Sequence, residues 1–102
     1  MVADIYLAKI YFTDLSDYKI RPVLIYQELG DDCICFQITS QNYKGIKLTN
    51  HDLINGKLKK DSFVVVPKNF TLHKSIFTKK LATVKNDKFK EIKDSFCKQL
   101  KC

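Results

Sequence analysis

Two apolar runs separated by a short turn constrain the fold of this chain most. Residues 23–29 and 33–40 are rich in β-branched and aliphatic side chains, and the Gly-Asp-Asp segment between them has the composition of a tight turn. We therefore predict a β-hairpin. Antiparallel pairing in that hairpin would place the start of its first strand beside the end of its second strand.

Other short runs predict further strands. They cover residues 3–12, 46–48 and 62–67, with two short extended pieces within 70–77 and 79–84. Proline has no N–H to give to a sheet, so we expect Pro22 at the first position of its strand, and Pro67 at a strand end or a sheet edge. Residues 41–61, which contain two glycines, are predicted to form a long, partly irregular connection.

The sequence period changes near the end of the chain. Apolar residues then recur at helical spacing behind Asn86, the candidate N-cap: Phe89, Ile92, Phe96, Cys97 and Leu100. Several short strands followed by one amphipathic helix predict a mainly β fold, a strongly bent antiparallel sheet or barrel capped by a C-terminal helix. With 102 residues and no linker or repeat, we expect one domain over residues 1–102.

Positive charge is concentrated in the second half of the chain. The formal net charge is +7, and residues 57–80 contain seven lysines against one aspartate. Such a field suits an anionic partner such as nucleic acid. Lysine-rich surfaces also serve solubility, so charge by itself leaves both interpretations open.

The sequence lacks the usual enzyme and metal-site motifs. It has no GxSxG elbow and no Gly-rich phosphate loop, its two histidines lie far apart, and its four cysteines form no CxxC or Cys/His zinc pattern. We therefore expect no metal, no cofactor and reduced cysteines. The first residues do not resemble a signal peptide and no run reaches membrane-spanning length, so we expect a cytoplasmic protein.

Arg21 is the only arginine beside seventeen lysines, and it stands directly before a proline. If the hairpin forms, Arg21 at the start of one strand lies near Thr39 and Ser40 at the end of the next. A guanidinium matches two phosphate oxygens with a planar fork of donors, and such a cluster would stabilise a phosphoryl transition state. The alternative is a strand-end ion pair of Arg21 with Asp14 or Asp17, with the hydroxyls acting as ordinary strand-end caps.

Five blocks follow one another from Asp4 to about Val84: "DIYLAKI", "KIRPVLI", "CICFQITSQ", "GKLKKDSFVVV" and "FTLHKSIF". The second contains a basic-x-Arg-Pro-hydrophobic pattern, and the third ends a strand with I-T-S-Q. This order resembles the MazF/PemK family of toxin endoribonucleases. The resemblance implies an SH3-like β-barrel of the MazF/PemK/CcdB type, a homodimer, and a cognate antitoxin protein as partner.

The same resemblance implies sequence-specific, metal-independent cleavage of single-stranded RNA. In that reaction the ribose 2′-hydroxyl attacks the adjacent phosphate and leaves a cyclic phosphate and a 5′-hydroxyl. Arg21 matches the family's Arg-Pro arginine and is expected to stabilise transition-state charge, with acid catalysis as a second role that the resemblance leaves open. Thr39 matches the I-T-S threonine and is expected to position the phosphate or the nucleophile. Four further residues are expected to line the RNA path: Lys19, Ser40, Gln41 and Ser62.

Three positions depart from the family pattern. Ala3 replaces the usual glycine before the first strand, and a lysine separates Gly56 from Leu58 where relatives have Gly-Leu. Val65 stands where PemK-like relatives often have an arginine. We expect this valine to weaken RNA affinity or catalytic charge unless a nearby lysine substitutes.

Two other functions fit the same fold. A gyrase poison of the CcdB type would act through protein contacts, but those relatives present a tryptophan near the end of the helix and this chain has none. A decayed toxin would bind nucleic acid or antitoxin without cutting RNA. Inhibition of supercoiling with RNA left intact would indicate the first, and RNA binding without cleavage would indicate the second.

Overall fold

The computed structural model describes residues 1–11, 17–41 and 45–100. The elements in these residues are, in order, β1 Asp4–Tyr11, β2 Tyr18–Leu29, β3 Asp32–Thr39, β4 Ile46–Leu48, β5 Leu53–Ile54, β6 Ser62–His73, β7 Phe77–Val84 and α1 Asn86–Leu100. Two 3₁₀ turns, Asn50–Asp52 and Lys74–Ile76, precede β5 and β7. Among the described residues, no helix has the length and apolar composition that a membrane span needs.

The strands form one curled antiparallel sheet in the order β4-β6-β3-β2-β1-β7-β5. The predicted hairpin is its centre, since β2 pairs with β3 from Leu29 opposite Asp32 to Val23 opposite Gln37. β1 pairs with both β2 and β7, and β6 pairs with both β3 and β4. The prediction of a mainly β fold with a C-terminal helix is confirmed.

The core lies between α1 and the inner face of the sheet. Ile92 of α1 and Phe36 of β3 are fully buried. The rings of Tyr26, Phe36 and Phe96 form an edge-to-face triad, with centroids 5.1 to 5.2 Å apart. Each such pair contributes about 0.5–1.5 kcal/mol beyond its buried area. The triad therefore fixes the helix to the two strands of the central hairpin.

Pro22 does not occupy its predicted position, and Pro67 does not end its strand but lies beyond Val64, the last residue of β6 that pairs with β4. β2 begins at Tyr18, so Pro22 lies inside that strand, where it pairs with β1 but lies just before the first residue that pairs with β3, Val23. Pro67 lies within β6, after a cis peptide bond, in a bulge that separates the Val64 and Asn69 ladder positions. Both prolines thus occur where a neighbouring ladder is interrupted, which is the physical condition that lets a sheet accept them.

The helix start also differs slightly from the prediction. The carbonyl of Lys85 accepts the N–H of Phe89 at 2.8 Å, which is the first intrahelical bond. The residue whose carbonyl accepts that bond is the N-cap, so Lys85 and not Asn86 has this place. Asn86 is instead the first residue of α1.

A second apolar cluster covers the opposite face of the sheet. We call it the outer apolar face. Its buried residues are Ala8, Val23, Ile25, Cys33 and Cys35, and its half-buried ones include Tyr6, Ile10, Phe70, Leu72 and Phe77. Burial raises the pKa of the Cys35 thiol to about 12, and it also raises the pKa of Cys33. Both thiols are therefore protonated at neutral pH.

We predict that Cys33 and Cys35 resist alkylation in the folded chain. Iodoacetamide at pH 8 should leave the peptide with both residues unmodified until urea unfolds the protein, because the thiolate is the reactive form. Peptide mass spectrometry measures the outcome, and modification as fast in buffer as in urea would contradict it.

The free energy of unfolding should also fall as the pH rises above the ordinary thiol pKa of 9.0, since only in the unfolded chain do these thiols then ionise readily.

Candidate functional site

One groove brings together most of the polar residues that the sequence singled out. It has a volume of about 760 Å³ and is lined by β1, the start of β2, the end of β3 with Ser40 and Gln41, residues 56–60 with Ser62, and β7. We call it the basic groove, because every charged side chain that lines it among the described residues is a lysine or Arg21. Most of these segments are far apart in sequence and meet only through the sheet.

Arg21 and Thr39 lie in the basic groove because of the hairpin register. The β2–β3 ladder ends with Val23 opposite Gln37, and Arg21 and Thr39 each lie two residues beyond that last pair on their strands. Both side chains line the groove, together with the exposed Ser40 and Gln41. The Thr39 Oγ1 accepts the N–H of Gln41 at 3.3 Å, so its own hydroxyl proton remains available to a ligand.

The alternative interpretation of Arg21 was an ion pair with a nearby aspartate. Asp14 lies outside the described residues. Asp17 accepts the N–H of Tyr18 at 2.7 Å, and within the described ranges no carboxylate forms an ion pair with Arg21. The guanidinium is exposed on the groove wall. It is therefore able to bind an anion without first breaking an ion pair with a described residue.

Five lysines line the groove and add positive charge to it: Lys57, Lys59 and Lys60 of residues 56–60, and Lys79 and Lys80 of β7. The Lys80 Nζ lies 3.4 Å from Asp4, whose carboxylate is mostly buried and also accepts the Thr83 hydroxyl at 2.7 Å. Asp4 thus holds Lys80 at the rim. A cleft lined by one sign of charge focuses the field and concentrates counter-ions of the opposite sign.

Residues 56–60, which we call the basic segment, are fixed at several points. The Asn50 side chain accepts the N–H of Leu58 at 2.9 Å and donates to its carbonyl at 3.2 Å, and Leu58 itself is buried in the core. Gly56 lies against the backbone of Leu81 on β7. The Ser62 hydroxyl donates to the Lys60 carbonyl at 3.0 Å. The lysines of this segment therefore project from a fixed backbone.

Two of the residues expected to line the RNA path, Ser62 and Lys19, differ in their position relative to the basic groove. Ser62 lines the basic groove, but it is 6% exposed and its hydroxyl donates to Lys60 of the basic segment. Lys19 lies outside this groove, in a hollow of about 180 Å³ on the other side of Arg21, with Gln37 and Phe70 among its neighbours. The structure thus brings Arg21, Thr39, Ser40, Gln41 and Ser62 together and sets Lys19 apart.

Sequence reasoning did not identify which lysines line the groove. The excess of lysine in residues 57–80 indicated the region, but nothing local distinguished groove lysines from others such as Lys68 and Lys74. Three other ionisable residues, His51, His73 and Asp17, do not line the groove. His73 instead uses its Nδ1 for Ser75, 2.8 Å from the hydroxyl and 3.1 Å from the N–H.

The structure shows the surroundings of the positions that depart from the family pattern. Ala3 has a φ of 70°, the left-handed region that favours glycine, so the usual glycine there has a conformational reason. Val65 is 6% exposed and does not line the groove. Gly56 packs closely against the backbone of β7, and the Leu58 side chain is buried in the core. Lys57, which lies between them, contributes to the groove lining.

Comparison with known proteins agrees with this architecture. The family model described as PemK-like, MazF-like toxin of type II toxin–antitoxin system matches residues 2–100. Among solved structures, the chain is similar to the Mycobacterium tuberculosis toxin MazF-mt6, with a TM-score of 0.73, 14% identity and 96% of each chain covered. At that identity the structural similarity shows the fold alone. No curated protein sequence gives a significant match. Because the family model spans nearly the whole chain, this protein belongs to the PemK-like, MazF-like toxins of type II toxin–antitoxin systems.

Proposed function

We propose that this chain, acting as one domain in the cytoplasm, is a growth-inhibiting toxin that cleaves single-stranded RNA as a metal-independent endoribonuclease. The observation that carries the proposal is the meeting of Arg21 and Thr39 in a groove whose other charged residues are lysines. Lysine walls attract the phosphate backbone without regard to sequence. The arginine and the hydroxyls add directional donors at one point along that path.

The chemistry follows from what these groups donate. As the ribose 2′-hydroxyl attacks the adjacent phosphorus, negative charge grows on the non-bridging phosphate oxygens. The Arg21 guanidinium donates two parallel N–H bonds to such oxygens, and the Thr39 hydroxyl donates a third. These donors are fixed by the sheet before the RNA binds, so little reorganisation is needed when the charge develops. As the bond from the 2′-oxygen to phosphorus forms, the bond from phosphorus to the 5′-oxygen breaks. The 2′-hydroxyl releases its proton to water and the leaving 5′-oxygen takes one from water, so the products are a 2′,3′-cyclic phosphate and a 5′-hydroxyl.

The charge of the groove also suits the second expected partner. An antitoxin segment with acidic side chains would pair with Lys57, Lys59 and Lys60 and exclude RNA from the same surface. The toxin family supplies the expectation of an antitoxin, and the basic groove supplies a site of complementary charge. We therefore place antitoxin inhibition at the groove, by competition with RNA.

The homodimer is also part of the proposal. The outer apolar face has no helix over it among the described residues, and half-buried aromatic rings such as Tyr6 and Phe77 lie 5.5 Å apart on it. A second copy of the chain is the partner that we propose for this face, since like apolar faces are self-complementary in a two-fold dimer. Sedimentation equilibrium tests it, and a monomer mass at micromolar concentration would contradict it.

The proposed activity is tested with purified protein and a long single-stranded RNA. We expect cuts at recurring short sequences, fragments with 5′-hydroxyl and cyclic phosphate ends, and the same cuts after exhaustive dialysis against EDTA. Primer extension maps the positions, and polynucleotide kinase labelling identifies the 5′ ends. Fragments with 5′-phosphate ends, or cleavage lost in EDTA and restored by Mg²⁺, would rule out this mechanism. Intact RNA with inhibited gyrase would support the gyrase-poison alternative.

A further inference from the structure

Two aromatic rings stand exposed where β1 ends and β2 begins. Tyr11 and Tyr18 are direct cross-strand partners with ring centroids 5.5 Å apart, and they are 48% and 41% exposed. The neighbouring Ile20 is 52% exposed, and the Lys9 Nζ lies 5.2 Å from the Tyr18 ring centroid. Single exposed apolar residues are common on protein surfaces, but a contiguous aromatic and aliphatic patch with a cation is less so.

This patch lies next to the basic groove, on one face of the paired strands β1 and β2. Side chains alternate along a strand, so the cross-strand pair Leu7 with Pro22 shares a face with Tyr11 and Tyr18. Leu7 and Pro22 line the groove. Pro22 lies four residue steps along β2 from Tyr18, which is about 14 Å of strand. A stacked nucleic-acid strand of that length has about four nucleotides.

The composition of the patch favours bases over other occupants. Aromatic faces stack on any base, whereas the Lys9 ammonium would meet the phosphate that joins two such bases. Leu7 and Pro22 of the groove share one face of the β1–β2 strand pair with the patch, so a strand of RNA that leaves the groove past these two residues reaches the patch. The patch therefore provides alternating π-surface and positive charge, as single-strand binding surfaces do.

We propose that Tyr11 and Tyr18 form a stacking platform for RNA bases that lie outside the cleaved step. The inference rests on the proposed function, since it needs RNA in the groove. The platform lengthens the stretch of RNA that the chain binds. It also adds affinity that does not depend on the base sequence. Stacking on one base changes affinity by about 5- to 150-fold.

The test uses RNA oligonucleotides centred on a mapped cleavage site, with a 2′-deoxyribose at the cleaved nucleotide so that binding is measured without cutting. The oligonucleotides are lengthened by one nucleotide at a time from each end. We expect the affinity of the wild-type chain to rise at least 5-fold on reaching the platform from one end. Tyr18→Ala and Tyr11→Ala should lose this rise, and Tyr18→Phe should keep it.

Two controls separate stacking from general effects. Leu29→Ala removes a side chain that is 48% exposed at the opposite end of β2, and it should leave the length dependence unchanged. A 2-aminopurine at the platform nucleotide should lose fluorescence on binding to the wild type and to Tyr18→Phe, but not to Tyr18→Ala. An abasic nucleotide at that position should lower wild-type affinity as the alanine variants do, and this comparison needs no change in the protein.

The outcomes distinguish this inference from the proposed function. If the wild type cuts RNA but its affinity does not depend on length, or if Tyr18→Ala keeps the full rise, the platform is wrong and the ribonuclease stands. If the wild type neither binds nor cuts RNA, the proposed function itself is wrong. If Tyr18→Ala keeps the length dependence but weakens self-association in sedimentation, the patch is a protein interface and the inference is overturned.

Discussion

Arg21→Ala should remove most of the RNA cleavage activity while the chain stays folded. The guanidinium is the one group of the basic groove that donates two parallel N–H bonds to phosphate oxygens, and removing one well-placed transition-state donor costs about 3 kcal/mol. Such a loss lowers the cleavage rate by about 150-fold. Arg21 is exposed and makes no ion pair with a described residue, so its removal should change the free energy of unfolding by less than about 0.5 kcal/mol.

The measurement is the single-turnover cleavage rate of a mapped RNA, with urea denaturation of the same preparations. Arg21→Lys keeps the charge but loses the planar fork, so it should retain part of RNA binding and little of the rate. Lys68→Ala is the matched control, because it removes one exposed positive charge from β6 outside the groove. Full cleavage and full growth inhibition by Arg21→Ala would remove the arginine from the proposed mechanism.

Local sequence patterns were sufficient for the central hairpin and the helix. The turn at Gly30 and the apolar runs on both sides predicted that β2 and β3 pair and that Arg21 lies near Thr39 and Ser40. A bulge between Ile25 and Gln27, which those patterns did not predict, shifts the register by one residue before the ladder ends at Val23 opposite Gln37. The helical spacing of Phe89, Ile92 and Phe96 identified the side of α1 that packs on the core. Each of these features depends on residues that are close in sequence.

Local sequence patterns could not predict where the ladders are interrupted or which residues line the groove. Pro22 was misplaced, and the bulge at Pro67 was not predicted, because whether a strand accepts a proline depends on where its neighbour's pairing stops, and that depends on the partner strand. Lys79 faces the groove because β7 pairs with β1, whose residues lie about seventy positions earlier. The charge of residues 57–80 was visible in the sequence, but the wall it forms depends on these long-range pairings.

Gly56→Ala should destabilise the fold strongly, because this glycine fixes the basic segment against β7. Gly56 has a φ of 153°, and a Cβ there would overlap the carbonyl oxygen of Leu81. Backbone strain of this kind costs about 1–3 kcal/mol. Steric overpacking adds about 1–3 kcal/mol. We therefore expect a loss of about 2–6 kcal/mol, which is a large part of the stability of a small domain.

Gly30→Ala is the control that isolates the contact with β7. Gly30 also has a positive φ, 64°, but a Cβ there would meet nothing within 4 Å. That substitution should cost only the left-handed penalty of about 1–2 kcal/mol. Urea denaturation of both variants measures the difference, and equal losses would show that the approach of Gly56 to Leu81 has no energetic weight. A larger loss for Gly56→Ala, with weaker RNA binding at temperatures where it stays folded, would show that the same contact positions the groove lysines, since Gly30 lies far from them in the fold.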